Sequence, residues 1–197
     1  LIPLTMAAGV IILWDRVMAL RAAASVNKDE LLSHINSYVL QGQIDKAVSV
    51  TSQFRSPLTN IVRAGLVAVQ NGKSDEEVQT AMDAVALREI PRIEKRIPLL
   101  STISNIATLL GLLGTISGLI GAFAAVANVS PAEKATLLAN AISEAMNCTA
   151  FGLFVAIPLL GCFGALNNWA TSIIDDIHEA SVSTLNFILS NREKFAK

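Results

Sequence analysis

Charge is scarce in this chain. Of its 197 residues only 16% are Asp, Glu, Lys or Arg, against about a quarter in an average soluble domain. The shortage is local. Ile97 to Ala132 holds no charged residue over 36 positions, and Ala145 to Ile174 none over 30. Either run exceeds the roughly 20 apolar residues that carry a helix across a bilayer. An ordinary soluble enzyme, a secreted disulfide scaffold and a disordered chain are thereby excluded. A basic excess is missing too. The net charge of −1 speaks against nucleic acid as a partner, since its binders show a basic surface.

Cysteine is limited to Cys148 and Cys162, both in the last apolar run. Fourteen residues apart on one helix, they would lie about 21 Å from each other, too far for a disulfide. The two histidines, His34 and His178, are remote from both in sequence. The cysteines therefore read as small core residues, and no metal or cofactor is expected. Nucleophile–base pairs, paired carboxylates and a phosphate loop are likewise missing, so the chain does not read as an enzyme. The glycines of Gly111 to Gly121 lie inside an apolar run, not after a strand, which argues against a nucleotide loop. No stretch alternates with the two-residue period of a strand. The expected fold is all-α, an integral membrane protein with three transmembrane helices, long helices extending into the cytoplasm and a helical cytoplasmic domain.

What charge there is sorts by position. Residues 15–98 hold 11 of the 15 basic and 10 of the 16 acidic residues, whereas residues 128–136 hold only Glu133 and Lys134. The positive-inside rule puts the first segment and the tail in the cytoplasm and 128–136 outside. The N-terminus is then outside and the C-terminus inside. Leu1 to Trp14 is uncharged but short for a span. It reads as the inner part of a first transmembrane helix, its outer end missing. A signal-peptide core would want a basic stretch before it and a cleavage site after it. The segments are a first span at 1–20, a cytoplasmic helical domain at 21–98, a second span at 99–128, an outer turn at 129–136, a third span at 137–170 and a cytoplasmic tail at 171–197.

Capping residues place the cytoplasmic helices. Asn27 with Glu30 opens one that stops at Gly42. Pro57 suits the first turn of another, closed by Asn71-Gly72. Ser74 with Glu77 opens a third. No strong stop follows until about Asn128, and Pro91 and Pro98 are expected to bend this long helix without ending it. Ser130-Pro131-Ala132-Glu133 begins the next helix, running past Asp175-Asp176 toward Phe195.

Within the second span Gly111, Gly114, Gly118 and Gly121 form one helical stripe, and Gly114 with Gly118 makes a GxxxG pair. Ala141, Ala145, Cys148, Gly152 and Ala156 repeat the pattern on the third span. The stripes imply tight packing against each other or against a neighbouring subunit. Pro158 breaks the hydrogen-bond ladder near Phe154, as a hinge or as a packing kink. Three polar residues stand out. Thr115 lies 17 residues before Ala132 and Thr149 lies 17 after it. An antiparallel hairpin sets both at one depth, roughly 25 Å from the turn. They line an ion path, or each merely bonds the carbonyl four residues back. Glu144 is the acid deepest in the hairpin. Ionisable groups in a span are functional by default, unless the outer part of this helix is wet.

Three segments then carry a resemblance. They are Leu109-Leu110-Gly111-Leu112-Leu113-Gly114-Thr115-Ile116-Ser117-Gly118-Leu119, Ile142-Ser143-Glu144-Ala145, and Thr149-Ala150-x-Gly152-Leu153-x-Val155-Ala156-Ile157-Pro158. Asp15-Arg16 to Leu20-Arg21, Ser56-Pro57-Leu58 to Arg63-Ala64-Gly65-Leu66 and Ile97-Pro98-Leu99-Leu100 add to it. In these segments the chain resembles the ExbB/TolQ/MotA proton-channel family, and within it the ExbB/TolQ branch.

The resemblance implies a pentamer in the bacterial inner membrane around a dimer of a single-span ExbD/TolR-like partner. The partner's span would carry an ion-accepting Asp, which this chain's spans lack. Ion flow, of H+ or alternatively Na+, would drive mechanical work on periplasmic or outer-membrane partners. Thr115 and Thr149 match the family's pore-lining threonines, and Glu144 its third-span Glu. Two other readings stay open, a stator of a gliding or flagellar-type motor and a non-conducting structural oligomer.

Overall fold

A computed structural model describes residues 1–54, 56–127 and 129–192, the side chain of Pro131 excepted. Seven helices follow one another: α1 (Ile2–Ala23), α2 (Lys28–Leu40), α3 (Ile44–Gln53), α4 (Pro57–Gln70), α5 (Asp75–Glu94), α6 (Ile97–Val126) and α7 (Pro131–Ser190). Among the described residues there is no strand. Three helical stretches are long and apolar enough to cross a membrane, one near the N-terminus, one ending at Val126 and one ending at Ser190. The chain forms two units, and each is described by itself.

The apolar unit comprises Leu1–Arg16 and Arg96–Leu166. Here α6 and α7 form a hairpin through their small residues, and α1 packs on α7 where Leu159 covers Gly9. Large apolar side chains point away from this packing: Leu109, Ile120, Phe123, Phe154 and Ile157 are all more than 60% exposed. So much exposed apolar surface calls for lipid or another subunit. Arg16 is buried at the edge of the unit. Its guanidinium donates to the Asp15 carboxylate at 2.7 and 3.0 Å, and Arg96 adds a third bond at 3.3 Å.

The second unit holds Val17–Lys95 and the chain from Asn167 onward. Its core includes Leu31, Ile35 and Val39 of α2, Ile61, Val62 and Leu66 of α4, and Val78 and Met82 of α5. The α7 tail contributes Ile177, Ala180 and Ile188. Lys28 Nζ ties α2 to that tail, reaching Asp176 at 2.9 Å and Glu179 at 2.8 Å. The hydrogen bond that Lys28 donates to Glu179, then that to Asp176, raises the Lys28 pKa above its ordinary value and favours the ammonium form. Arg192 pairs with Asp75 at the start of α5 and donates to the Lys73 carbonyl.

The N-caps read at Asn27 and Ser74 are present, and Ser56 supplies one that was not expected. Asn27 accepts from the Asp29 amide, and Ser56 and Ser74 each close a reciprocal capping box, with Thr59 and Glu77. Gly42 and Gly72 adopt φ of 72° and 69° just after α2 and α4, the left-handed stop that glycine makes without strain. At the tip of the hairpin the Ser130 hydroxyl bonds the Glu133 carboxylate at 2.8 Å. Asn128 and Phe195, expected near helix ends, lie outside the described residues.

Two local expectations need correction. Helix α3 was not among the helices expected, although Ala47 and Thr51 are its buried positions and stand one turn apart, as an amphipathic helix requires. Its N-cap, Gln43, makes no side-chain capping bond, which removes the signal that marked the others. Secondly, the long helix expected from Ser74 onward is interrupted. Pro91 does sit inside α5, but α5 ends at Glu94 and Arg96 turns left-handed at φ 67°. Glu94 is four residues before Pro98, so its carbonyl is the one a proline ring at 98 would strike in a continuous helix. Pro98 is accommodated in the first turn of α6 instead.

The α5 box makes a pH-dependent contact. The Ser74 amide, then its hydroxyl, holds the Glu77 carboxyl below its ordinary value of 4.5. A depressed folded pKa contributes stability above the unfolded value and loses it as pH falls through the folded one. The first turn of α5 should therefore loosen below about pH 4.5. The protection of the Glu77 and Val78 amides, measured against their intrinsic exchange rate at each pH, should fall there in the wild type. In Glu77→Gln the same amides should show no such pH step.

Candidate functional site

The site is built where α6 and α7 touch. A Cβ placed on Gly111 would lie 3.2 Å from the Gly152 Cα and the Thr149 Cα, and one on Gly152 would lie 2.8 Å from the Ala107 carbonyl. Gly114 faces the Cys148 Cβ and Gly118 the Ala145 Cβ, and a Cβ on either would come within 3 Å of that neighbour, too close to fit without a shift. The stripes on the two helices thus pack on each other within one chain. Gly121 differs, since nothing lies within 4 Å of the Cβ it would bear. It belongs to the sequence stripe but not to the contact. Cys148 and Cys162, expected as small core residues, are half-buried free thiols.

This close approach brings Thr115 and Thr149 together. Their hydroxyls are in direct hydrogen-bond contact. The Thr115 hydroxyl also lies 3.2 Å from the Gly111 carbonyl and 3.3 Å from the Ala145 carbonyl, and the Thr149 hydroxyl lies 3.1 Å from the Gly111 carbonyl. Gly111 is four residues before Thr115, and Ala145 four before Thr149. Each threonine therefore reaches the carbonyl that simple back-bonding would assign to the other. Back-bonding within a helix covers only the Thr115–Gly111 contact; the remaining bonds cross between helices. A hydroxyl donates one proton and accepts two, so the four oxygens form a connected cluster in which protons can be reassigned by rotation alone. Both threonines are half-buried and keep access to their surroundings.

Glu144 is not brought to this cluster. It is five residues from Thr149, which turns it about 140° around the helix. It is exposed and lines an apolar cavity of ≈ 690 Å³ with Leu110, Leu113, Ser117, Asn147 and Phe151. The N-terminal residues Leu1 to Pro3 form another wall. The hairpin thus offers two polar features, a hydroxyl–carbonyl cluster on the packed side and a carboxylate in an apolar groove.

Ser104 is a further polar residue, overlooked in the sequence. It is buried, and its hydroxyl donates to the Ala156 carbonyl on α7 at 2.7 Å. Its position, seven before Gly111, extends the small stripe by two turns, a period that could have revealed it. Near it, Pro158 lies within α7 without ending the helix.

The residues that build this site fall inside a single family match. The model of the MotA/TolQ/ExbB proton channel family matches residues 53–179, which takes in α4, α5, α6 and the greater part of α7. Thr115, Glu144, Thr149 and all the packing glycines of the hairpin lie within it. A comparison with curated proteins finds no match. Three membrane-competent helical stretches, a paired hydroxyl cluster in an apolar hairpin and a match over more than half of the chain agree, and the chain belongs to the MotA/TolQ/ExbB proton channel family.

Proposed function

We propose that this chain is the ExbB/TolQ-like subunit of an inner-membrane motor driven by the ion-motive force. In this reading five copies surround a dimer of a single-span ExbD/TolR-like partner, N-termini in the periplasm and C-termini in the cytoplasm. Inward H+ flow through the assembly is coupled to mechanical work on periplasmic or outer-membrane proteins. The chain itself is not an enzyme and takes no cofactor.

The observation that carries the reading is the Thr115–Thr149 cluster. Two hydroxyls that meet each other and two backbone carbonyls form a relay that can pass a proton without holding a charge. Neither 97–132 nor 145–174 contains an acid, so a carboxylate able to load and release the ion beside this relay is assigned to the partner's span. Glu144, in its groove, is assigned to the outer approach. An ionisable group this deep in a hairpin is expensive unless it faces a cavity or a path.

The test is reconstitution. The chain co-expressed with a single-span, Asp-containing membrane protein from a neighbouring reading frame should purify as one complex, with a mass equal to five copies plus two. Vesicles holding the complex should acidify when a proton gradient is imposed, and replacing the partner's Asp by Asn should stop this. A proton-tight complex with the partner bound would overturn the reading in favour of a structural oligomer. Capture of a cytoplasmic motility protein in place of a periplasmic one would favour the stator.

A further inference from the structure

On the cytoplasmic unit, α5 presents two faces with opposite chemistry. One is an exposed stripe. Glu76, Thr80, Asp83 and Leu87 follow at helical spacing, and Leu87 is 77% exposed, a large apolar side chain standing between acids and solvent. The carboxylates of Glu76 and Asp83 have no ion-pair or hydrogen-bond partner among the described residues. The other face closes a groove against α4. Its floor is Ala64, Val67, Ala81 and Val85, and Arg63, Arg88 and Lys73 stand over it. Arg63 and Arg88 also lack partners among the described residues. The acid of this groove, Glu89, is already engaged by Asn60 and Arg92. The groove is therefore apolar at its base and positively charged at its rim.

We propose that these two faces are the halves of one contact between copies of this chain: the Leu87 stripe of one protomer seats in the α4–α5 groove of the next. The charges complement, acids without partners on the stripe meeting arginines without partners on the rim. The shapes complement as well, because alanines at 64 and 81 leave room for a leucine. At about 100° per residue the stripe and the groove are centred roughly 150° apart around α5. A contact made of two different faces is heterologous and builds a ring when its rotation closes. The inference rests on the oligomer proposed above and adds the surface through which its cytoplasmic parts meet.

Cysteine crosslinking in the full-length chain, in native membranes, tests the contact. Leu87→Cys combined with Ala64→Cys should give a ladder of disulfide-linked species after mild oxidation. The two single variants, which keep Cys148 and Cys162, should not. Asp83→Arg should lower the crosslink yield about five-fold, the size of effect a rim charge pair supports, and Arg88→Asp added to it should restore the yield. A complex that keeps its oligomeric mass yet gives no ladder overturns the contact and leaves the motor reading standing. That result would assign the groove to an acidic partner peptide or anionic lipid. A chain that is monomeric by mass overturns both.

Discussion

Valine at both Thr115 and Thr149 should eliminate proton flux and leave the hairpin folded. Valine keeps the branched shape of threonine and removes only the hydroxyl. The carbonyls of Gly111 and Ala145 retain their ordinary helical partners, the amides four residues on, so the double variant orphans no backbone group. Interhelical hydrogen bonds in membranes contribute on average about 0.6 kcal/mol each, a modest loss for a hairpin that also packs through glycines. Flux, in contrast, depends on groups that both donate and accept. A missing proton-transfer group typically costs on the order of 10²-fold or more in rate. Thr149→Ser, which keeps the hydroxyl, should retain most of the flux. Proton uptake by vesicles, measured beside the mass and thermal stability of the complex, separates the two effects. Wild-type flux in the double variant would remove the cluster from the path.

The second large effect concerns Gly152. A methyl group there would lie 2.8 Å from the Ala107 carbonyl oxygen and 2.9 Å from the Gly111 Cα. Both are backbone atoms and cannot swing aside. The helices must separate, and overpacking of this kind costs typically 1–3 kcal/mol. Separation also breaks the Thr115–Thr149 contact, so Gly152→Ala should reduce both thermal stability and flux, and Gly152→Leu should prevent a stable complex. Gly121→Ala is the control. It has the same chemistry on the same sequence stripe, but nothing stands within 4 Å of the new methyl, and stability should be unchanged or slightly raised by the helix preference of alanine. Thermal unfolding in detergent checks the series. Equal losses at 121 and 152 would show that helix propensity, not close approach, is what the glycines serve.

These two experiments also mark how far the sequence could be read. The depth match of Thr115 and Thr149 follows from counting along two antiparallel helices, and that geometry is rigid enough for counting to succeed. Glu144 was singled out as an ionisable group in a span and as the match to the family's third-span Glu, without regard to its direction. Its direction was equally available, because five residues on an α-helix rotate a side chain well away from its starting face. Gly121 fits the stripe by spacing, but only the crossing of α6 and α7 decides where contact ends. The Ser74 cap was legible because side chain and backbone exchange bonds locally. The break at Lys95–Arg96 was less so: a proline inside a helix and one that ends it look alike until the chain commits its fourth-preceding carbonyl. Pro91 and Pro98 show both outcomes seven residues apart.

The threonine cluster has one further property. The Thr115–Thr149 bond has no fixed donor, and the two hydroxyls hold nearly equivalent positions, each within reach of the carbonyl belonging to the other's turn. Turning both O–H bonds reverses the polarity of the pair at little cost and without moving the backbone. Such a pair rectifies nothing. On the proposed proton path it would hand a proton along one way as readily as the other, so any handedness in the proposed motor's motion must come from the slope of the gradient and from asymmetry outside the pair.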